Sequence, residues 1–188
     1  MKKSTIVLIV ILVLVVVIGI ALVGGYNKVV SQRESVDTAS ANLDVMLQRR
    51  ADLIPNLVNT VKGYTSHENE VIEQITTARE NLINANNIEE KAAADEELSS
   101  AIDALMIVVE NYPDLKSSQN FIQLSDELAG TENRIATARR DYNNAVQTYN
   151  LTIRRFPNNL LAGMFGFETV EYFEATESSQ EVPNVSFE

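Results

Sequence analysis

An unbroken apolar run lies near the start of the chain. Eighteen consecutive residues, from Ile6 to Val23, carry neither a charged nor a polar side chain. As a helix that rises about 1.5 Å per residue, they cover roughly 27 Å, which is close to the hydrocarbon thickness of a bilayer. A cleavable signal peptide has a shorter apolar core of roughly 7–15 residues, so the run favours a permanent anchor. The sequence therefore predicts a transmembrane anchor over residues 1–25.

After this run, apolar residues recur at heptad spacing. The heptad spacing continues from Tyr26 to Lys62 without a turn signal, which predicts one long helix. Gly24–Gly25, just before it, is a candidate swivel. Pro55 removes a backbone hydrogen bond to the carbonyl of Ala51, but the apolar stripe keeps its phase, so we expect a bend and not a break. The predicted inward residues are Val29, Val36, Leu43 and Leu57, with partners at Ala39, Met46, Leu47, Leu53, Ile54 and Val61.

One charged residue, Arg50, falls on the apolar seam of this helix. A guanidinium group at such a position must either extend to water or pair with a carboxylate. Pairing would fix the register of the packed helices. The sequence slightly favours extension to water.

Two shorter helices are predicted next. The second begins at a capping-box spacing, in which Thr65 is followed three residues later by Glu68, and it runs to about Ala85. The third runs from about Ile88 to Asn111, and its charged, alanine-rich part from Glu89 to Glu97 is typical of a solvated face. The predicted inward residues are Val71, Ile72, Ile75, Ala78, Leu82 and Ile83, then Leu98, Ile102, Leu105, Met106 and Val109.

The fourth helix has the clearest pattern in the chain. From about Ser118 to Phe156, seam residues alternate steps of three and four over five heptads, and Pro157 ends the helix. This regularity predicts a long helix-packing seam. Its members are Phe121, Leu124, Leu128, Thr131, Ile135, Ala138, Tyr142, Ala145, Tyr149, Thr152 and Phe156.

These elements predict an all-α fold. The transmembrane helix is followed by an antiparallel four-helix bundle over residues 26–157, because short joints place consecutive helices side by side. The first and fourth helices are longer than the other two, so they extend beyond them as a coiled-coil-like stalk. We expect residues 158–175 to be an apolar and acidic segment that docks on the bundle or on the membrane interface, and residues 176–188 to be a disordered tail.

The apolar segment Leu160–Phe167 is a candidate membrane contact. If the fourth helix returns to the bilayer, two arginines arrive near the headgroups directly before this segment. The sequence slightly favours the other interpretation, in which the segment folds back over the open end of the bundle. The candidate interface residues are Arg154, Arg155, Leu160, Leu161, Met164, Phe165 and Phe167.

Composition narrows the functional classes. All 26 acidic residues lie after Val23 together with 13 of the 15 basic residues, which leaves this part of the chain with 13 excess negative charges. Such a charge repels phosphate backbones, so no nucleic-acid partner is expected. The absence of cysteine excludes disulfides, thiol catalysis and cysteine-bound metals.

The sequence predicts no catalytic, cofactor or metal site. His67 is the only histidine, whereas a carboxylate-bridged dimetal bundle needs two. No serine lies in a Gly-x-Ser-x-Gly turn, and no glycine-rich phosphate loop is present. We therefore expect a protein that is not an enzyme and binds no cofactor.

Several motifs, in order along the chain, resemble the bacterial LemA family. They are Gln48 to Val58 (QRRADLIPNLV), Val61 to Tyr64, His67–Glu68, Phe121 to Leu128 (FIQLSDEL), Ala138 to Asn143, Arg154 to Asn158, Gly166–Phe167 and Glu171 to Ala175. The resemblance implies a membrane-anchored antiparallel helical bundle. It implies no catalytic residues, and it points to membrane-associated proteases or envelope-stress components as partners.

The preferred function is that of a non-catalytic scaffold or adaptor that binds a protein partner at the bacterial membrane. The alternative is a membrane-organising protein with a second lipid contact at Leu160–Phe167. Self-association is an open alternative in either case. The candidate interaction surface consists of Arg49, Arg50, Asp52, Pro55, Asn56, Lys62, Tyr64 and His67.

The charges that flank the anchor leave its orientation nearly balanced. Lys2 and Lys3 precede the apolar run, and Lys28 and Arg33 follow it. Lys2, Lys3 and the amino terminus all lie close to the apolar run, and positive charges close to a span favour the cytosolic side. This slightly favours a single-pass protein of the cell membrane with a cytosolic amino terminus and an external bundle. The resemblance to the LemA family implies the opposite orientation, with the short amino end outside.

Overall fold

A computed structural model describes residues 3–65 and 68–174. Within this part of the chain there are six α-helices and no strand, which confirms the all-α prediction. The antiparallel four-helix arrangement stays a prediction. The helices are α1 (Lys3–Lys62), α2 (Asn69–Asn84), α3 (Ile88–Val109), α4 (Pro113–Lys116), α5 (Gln119–Arg154) and α6 (Asn158–Phe165).

Helix α1 is a single element of 60 residues. It continues through Gly24–Gly25 and through Pro55, so neither the two glycines nor the proline breaks it. Of the described helices, it is the one long and apolar enough to cross a membrane. The side chains from Leu8 to Val23 are all exposed. An exposed apolar surface of this length is typical of a helix that crosses a membrane.

The heptad seam predicted after the apolar run is buried. Val29, Val36, Leu43 and Leu57 are almost fully shielded, together with Ile54 and Val61 among their predicted partners. Full burial of each such side chain contributes about 1.5–3 kcal/mol relative to exposure. The apolar periodicity that follows the anchor is therefore a packing seam, as expected.

The proline in α1 leaves one backbone carbonyl to be satisfied from outside the helix. Pro55 has no amide hydrogen to donate to the Ala51 carbonyl four residues earlier. Instead, Arg79 of α2 donates its Nε–H to Ala51 O at 2.8 Å. The proline thereby creates an acceptor that ties α2 to α1, and α1 continues past it.

Helix α2 starts later than the sequence predicts, and the capping box is not formed. The helix begins at Asn69, and the side chain of its N-cap residue, Glu68, makes no capping hydrogen bond. The Glu68 carboxylate instead accepts a 2.7 Å hydrogen bond from the Tyr112 hydroxyl, which raises the pKa of Tyr112. Thr65 donates to Val61 O within the preceding turn. Both side chains are thus engaged elsewhere. Of the predicted inward residues of α2, Ile83 is exposed.

Helix α3 is capped at its start and buried along more of its length than expected. Asn87 accepts a hydrogen bond from the amide of Glu90, and Glu90 accepts one from the amide of Asn86. The prediction of a solvated face from Glu89 to Glu97 is wrong in part. Because alanine side chains are small, neighbouring helices can approach closely, and three residues of that stretch are buried: Ala92, Ala94 and Asp95.

Helix α5 is two residues shorter at its end than predicted. The seam is buried or half-buried as far as Thr152, but Phe156 is 80% exposed because the helix ends at Arg154. Ile153 is buried instead. The short helices α4 and α6 were not predicted, since four and eight residues are too few for a helical period to be recognised.

The chain divides into two compact units, which are described separately below. The first unit comprises residues 1–39 and 143–170, and the second comprises residues 40–142 and 171–188, each as far as it is described. The predicted boundaries at residues 25, 157 and 175 stay a prediction. The predicted disordered tail, residues 176–188, lies outside the described residues.

Candidate interaction surfaces and a buried charge network

A network of four charged side chains joins three helices in the second unit. Asp95 of α3 is fully buried and accepts hydrogen bonds from Arg50 of α1, at 2.6 Å, and from Arg139 of α5. Arg50 also donates to the Ser99 hydroxyl at 3.0 Å and lies 3.0 Å from a carboxylate oxygen of Glu132. Two positive and two negative groups thus neutralise one another around the buried Asp95 and Arg50, while Arg139 and Glu132 are partly exposed.

Burial affects both arginines of this network in the same direction. Desolvation lowers the pKa of Arg50 from its ordinary value, and the nearby carboxylates of Glu132 and Asp103 oppose the change. Desolvation also lowers the pKa of Arg139, and the positive charge of Arg50 adds to the effect. An arginine starts from so high a pKa that it stays charged near neutral pH.

The preferred interpretation of Arg50 was wrong, because the structure pairs it with carboxylates. Only 4% of the residue is exposed, so it does not extend to water and is not part of an interaction surface. Asp95 had not been singled out as its partner. The signal available in the sequence was an aspartate among alanines at a helical spacing that turns it inward with Ala92 and Leu98.

The remaining residues of the candidate interaction surface on α1 form an exposed strip. We define the α1 strip as Arg49, Asp52, Pro55, Asn56 and Lys62 together with Asn59, which was not predicted but is exposed between them. Their spacing of three and four residues keeps them on one side of the helix. The opposite side is buried through Ala51, Ile54 and Leu57. Asp52 is oriented by a 2.8 Å hydrogen bond from Gln48.

The aromatic residue beyond the end of α1 extends this surface. Tyr64 follows the helix by two residues, and 48% of it is exposed. The backbone amide of Tyr64 donates to Val61 O at 2.9 Å, which holds it in the turn that ends α1. His67, the last member of the predicted surface, lies outside the described residues.

A second candidate surface lies in the first unit, where α6 contacts α1. A Cβ built on Gly25 would lie 2.7 Å from Asn158 Oδ1 and 2.9 Å from Leu161 Cδ1. Beside it, the ring centroid of Tyr26 lies 4.9 Å from that of Phe165 and 5.8 Å from that of Phe167. Helix α6 therefore packs against the two residues of α1 that follow Gly24.

The residues predicted at the membrane interface divide into an inner and an outer group. Leu161 is buried and Phe167 is half-buried. The outer, exposed residues are Arg154, Arg155, Leu160, Met164 and Phe165. The contacts with Gly25 and Tyr26 had not been predicted. A glycine beside a long apolar run was the available signal, and the close approach of α6 gives a reason for Gly25 other than the predicted swivel, which stays a prediction.

The segment after α6 is held to α5 by specific polar contacts. The side-chain amide of Asn150 donates to Val170 O at 2.8 Å and accepts from Val170 N at 2.9 Å. In the second unit, the Tyr142 hydroxyl donates to Glu171 O at 2.9 Å, and the Arg139 guanidinium lies 4.8 Å from the ring centroid of Phe173. These contacts connect the segment to α5, and none of its described residues belongs to a strand.

No metal centre is found in the described part of the chain. No group of three or more metal-binding side chains occurs there. An open groove between α2 and α3 is lined by Glu70, Glu73, Glu97 and neighbouring residues, but three solvated carboxylates do not by themselves make a site.

The family model and a named relative both assign this chain to the same family. The LemA family model matches residues 39–187. A protein named LemA from Metamycoplasma hominis is 31% identical over 159 residues, which covers 82% of this chain and 71% of that protein. Magnetosome protein MamQ 2 from Paramagnetospirillum magneticum is 34% identical over 175 residues, covering 79% of this chain. This chain spans 64% of the length of that relative, and none of these names specifies an enzymatic activity.

Proposed function

This chain belongs to the LemA family, and we propose that it is a non-catalytic adaptor that binds a protein partner at the membrane through the α1 strip and Tyr64. Its family and its long apolar helix make it a membrane-associated helical protein. The adaptor role, the partner and the absence of catalysis are our proposal. A membrane protease or an envelope-stress component is the class of partner we favour.

The observation that carries the proposal is that the apolar segment and the strip belong to the same helix. Helix α1 continues from the apolar segment into the strip without interruption. A partner that binds the strip therefore contacts the element that holds this protein in the membrane. No flexible linker intervenes between the two, which limits the conformational entropy lost on binding.

The chemistry of the strip suits a protein partner. Arg49 and Lys62 flank Asp52 and two asparagines, so charges of both signs alternate with amides that both donate and accept hydrogen bonds. A half-exposed tyrosine supplies the kind of anchor that often dominates binding energy at interfaces. Such a mixture favours a specific polar interface with a tyrosine anchor over a purely electrostatic one.

Site-specific photocrosslinking in bacterial membranes tests this proposal. The photoreactive residue is placed at Asn56 and at Asn59 in the strip, and at the exposed α5 positions Gln123 and Asn133 as controls. We expect one common adduct from the two strip positions and not from the controls. Asp52→Lys should reduce that adduct at least about tenfold, since it reverses a charge at the centre of the interface. Equal adducts at all four positions, or none in the strip, would contradict the proposal.

For orientation, we propose an external position for the helical part that follows the apolar segment. Because the chain has no cysteine, Asn69→Cys provides a unique thiol. We expect a membrane-impermeant maleimide to label this variant in intact cells. Labelling only after lysis would place this part of the protein in the cytosol, as the family resemblance implies.

A further inference from the structure

Helix α6 lies next to the end of the apolar segment. That segment ends at Val23, and α6 contacts Gly25 and Tyr26, which follow it by two and three residues. On a helix this separation is roughly 3–4.5 Å along the axis. The polar interface on each side of a bilayer is about 5–8 Å thick. If the apolar segment spans the bilayer, a group packed on Gly25 and Tyr26 lies within that interface.

The two sides of α6 differ in what covers them. Leu161 and Ala162 are buried and form its inner side. Leu160 and Met164, four residues apart, lie on its outer side and are 56% and 76% exposed. Phe156, just before the helix, is 80% exposed. The two interpretations of this segment are therefore compatible, since an inner side that folds back leaves an outer apolar side uncovered.

The flanking residues are those found where proteins meet the membrane surface. Tyr26 contacts Phe165 and Phe167, and tyrosine is one of the two residue types that concentrate at the level of the headgroups. Arg154 and Arg155 are exposed directly before α6 and are placed to meet anionic headgroups. Glu168, which follows α6 in the chain, is also exposed, and its negative charge opposes this attraction to anionic headgroups. The apolar contact therefore contributes more than charge does.

From these observations we propose that α6 is a second membrane contact, with Leu160, Met164 and Phe156 inserted into the interface of the bilayer that holds the apolar segment. The occupant of this apolar face is phospholipid. Two contacts of one unit with one bilayer restrict how that unit tilts, which a single spanning helix does not. This inference does not depend on the adaptor role.

Spin-label accessibility in the full-length protein tests this proposal. Leu160→Cys and Met164→Cys are labelled in a chain that has no other thiol, and the protein is reconstituted in phosphatidylcholine vesicles with and without phosphatidylglycerol. Leu14→Cys, in the apolar segment, is the lipid control. Gln147→Cys, an exposed polar position of α5 in the same unit, is the water control.

The ratio of relaxation by oxygen to relaxation by a water-soluble nickel chelate identifies what surrounds each label. We expect the ratio at positions 160 and 164 to exceed that at position 147 at least about fivefold, since oxygen partitions into lipid and the chelate does not. The difference should persist without phosphatidylglycerol. A ratio equal to that at position 147 would show water and overturn the proposal. Low accessibility to both reagents would show a protein cover, such as a second copy of this chain, and would equally overturn it.

Discussion

The two units of this protein each place side chains where they are normally unfavourable, but of opposite kinds: apolar groups on the surface of the first unit and charged groups in the interior of the second. The first unit leaves apolar side chains of α1 and α6 exposed, among them Leu14 and Met164. The second unit buries charged side chains, with Asp95 fully shielded between Arg50 and Arg139. An exposed apolar surface is stable when lipid covers it, and a buried charge is stable when a partner neutralises it.

This contrast indicates how each unit should respond to the loss of a side chain. The second unit contains its own charge partners, so removing one of them should destabilise it directly. Under the proposed membrane contact the bilayer covers the apolar side chains of the first unit, so its substitutions should change how it contacts lipid more than how stably it folds. The predictions below test this difference, beginning with the largest expected effect.

Removing the charge of Asp95 should have the largest effect on stability. Asp95→Asn removes the carboxylate that Arg50 and Arg139 share and leaves the buried guanidinium of Arg50 with only the partly exposed Glu132, which should lower the free energy of unfolding by about 3–5 kcal/mol. Urea unfolding of the reconstituted protein, followed by circular dichroism, measures the change. The control is Asp126→Asn, since that aspartate of α5 is exposed and should change the free energy by less than about 0.5 kcal/mol. Similar effects of the two substitutions would contradict the network.

The hydrogen bond from Arg79 to the Ala51 carbonyl should contribute less. Arg79→Met leaves that carbonyl without its donor and should lower the free energy of unfolding by about 1–3 kcal/mol. Pro55→Ala restores the backbone donor, so the loss caused by Arg79→Met should shrink by at least about 1 kcal/mol in that background. The same unfolding measurement on the four members of this cycle gives the coupling. If the effects of the two substitutions are additive, the hydrogen bond from Arg79 to the Ala51 carbonyl does not compensate for the donor that Pro55 lacks.

The long helices could be predicted from the sequence, and the contacts between elements could not. Burial of Val29, Val36 and Leu43 follows from a heptad period that the sequence displays directly. Asp95 looked solvated because its burial depends on two arginines from other helices. The contact of α6 with Gly25 is likewise tertiary, and eight residues of helix carry too short a pattern to reveal it.

A side chain at Gly25 should displace α6 with little loss of global stability. Gly25→Leu places bulk where Asn158 and Leu161 already lie, so α6 must move. The oxygen-to-nickel ratio of a spin label at position 164 should then fall at least about twofold, because the label leaves the depth set by the close contact. The matched control is Gly24→Leu, since a Cβ there meets nothing within 4 Å. A fall of the same size in both variants would show that the close contact does not position α6.

A comparison of one tryptophan in each unit tests the contrast most directly. The chain has no tryptophan, so Phe165→Trp and Tyr64→Trp each introduce a single fluorophore, at residues that are 56% and 48% exposed. Both variants are reconstituted in vesicles of brominated phosphatidylcholine, which quenches fluorophores that touch its acyl chains. We predict that position 165 is quenched by at least about half and position 64 by less than about a tenth. Absence of quenching at position 165, or equal quenching at both, would contradict the assignment of the first unit to the bilayer.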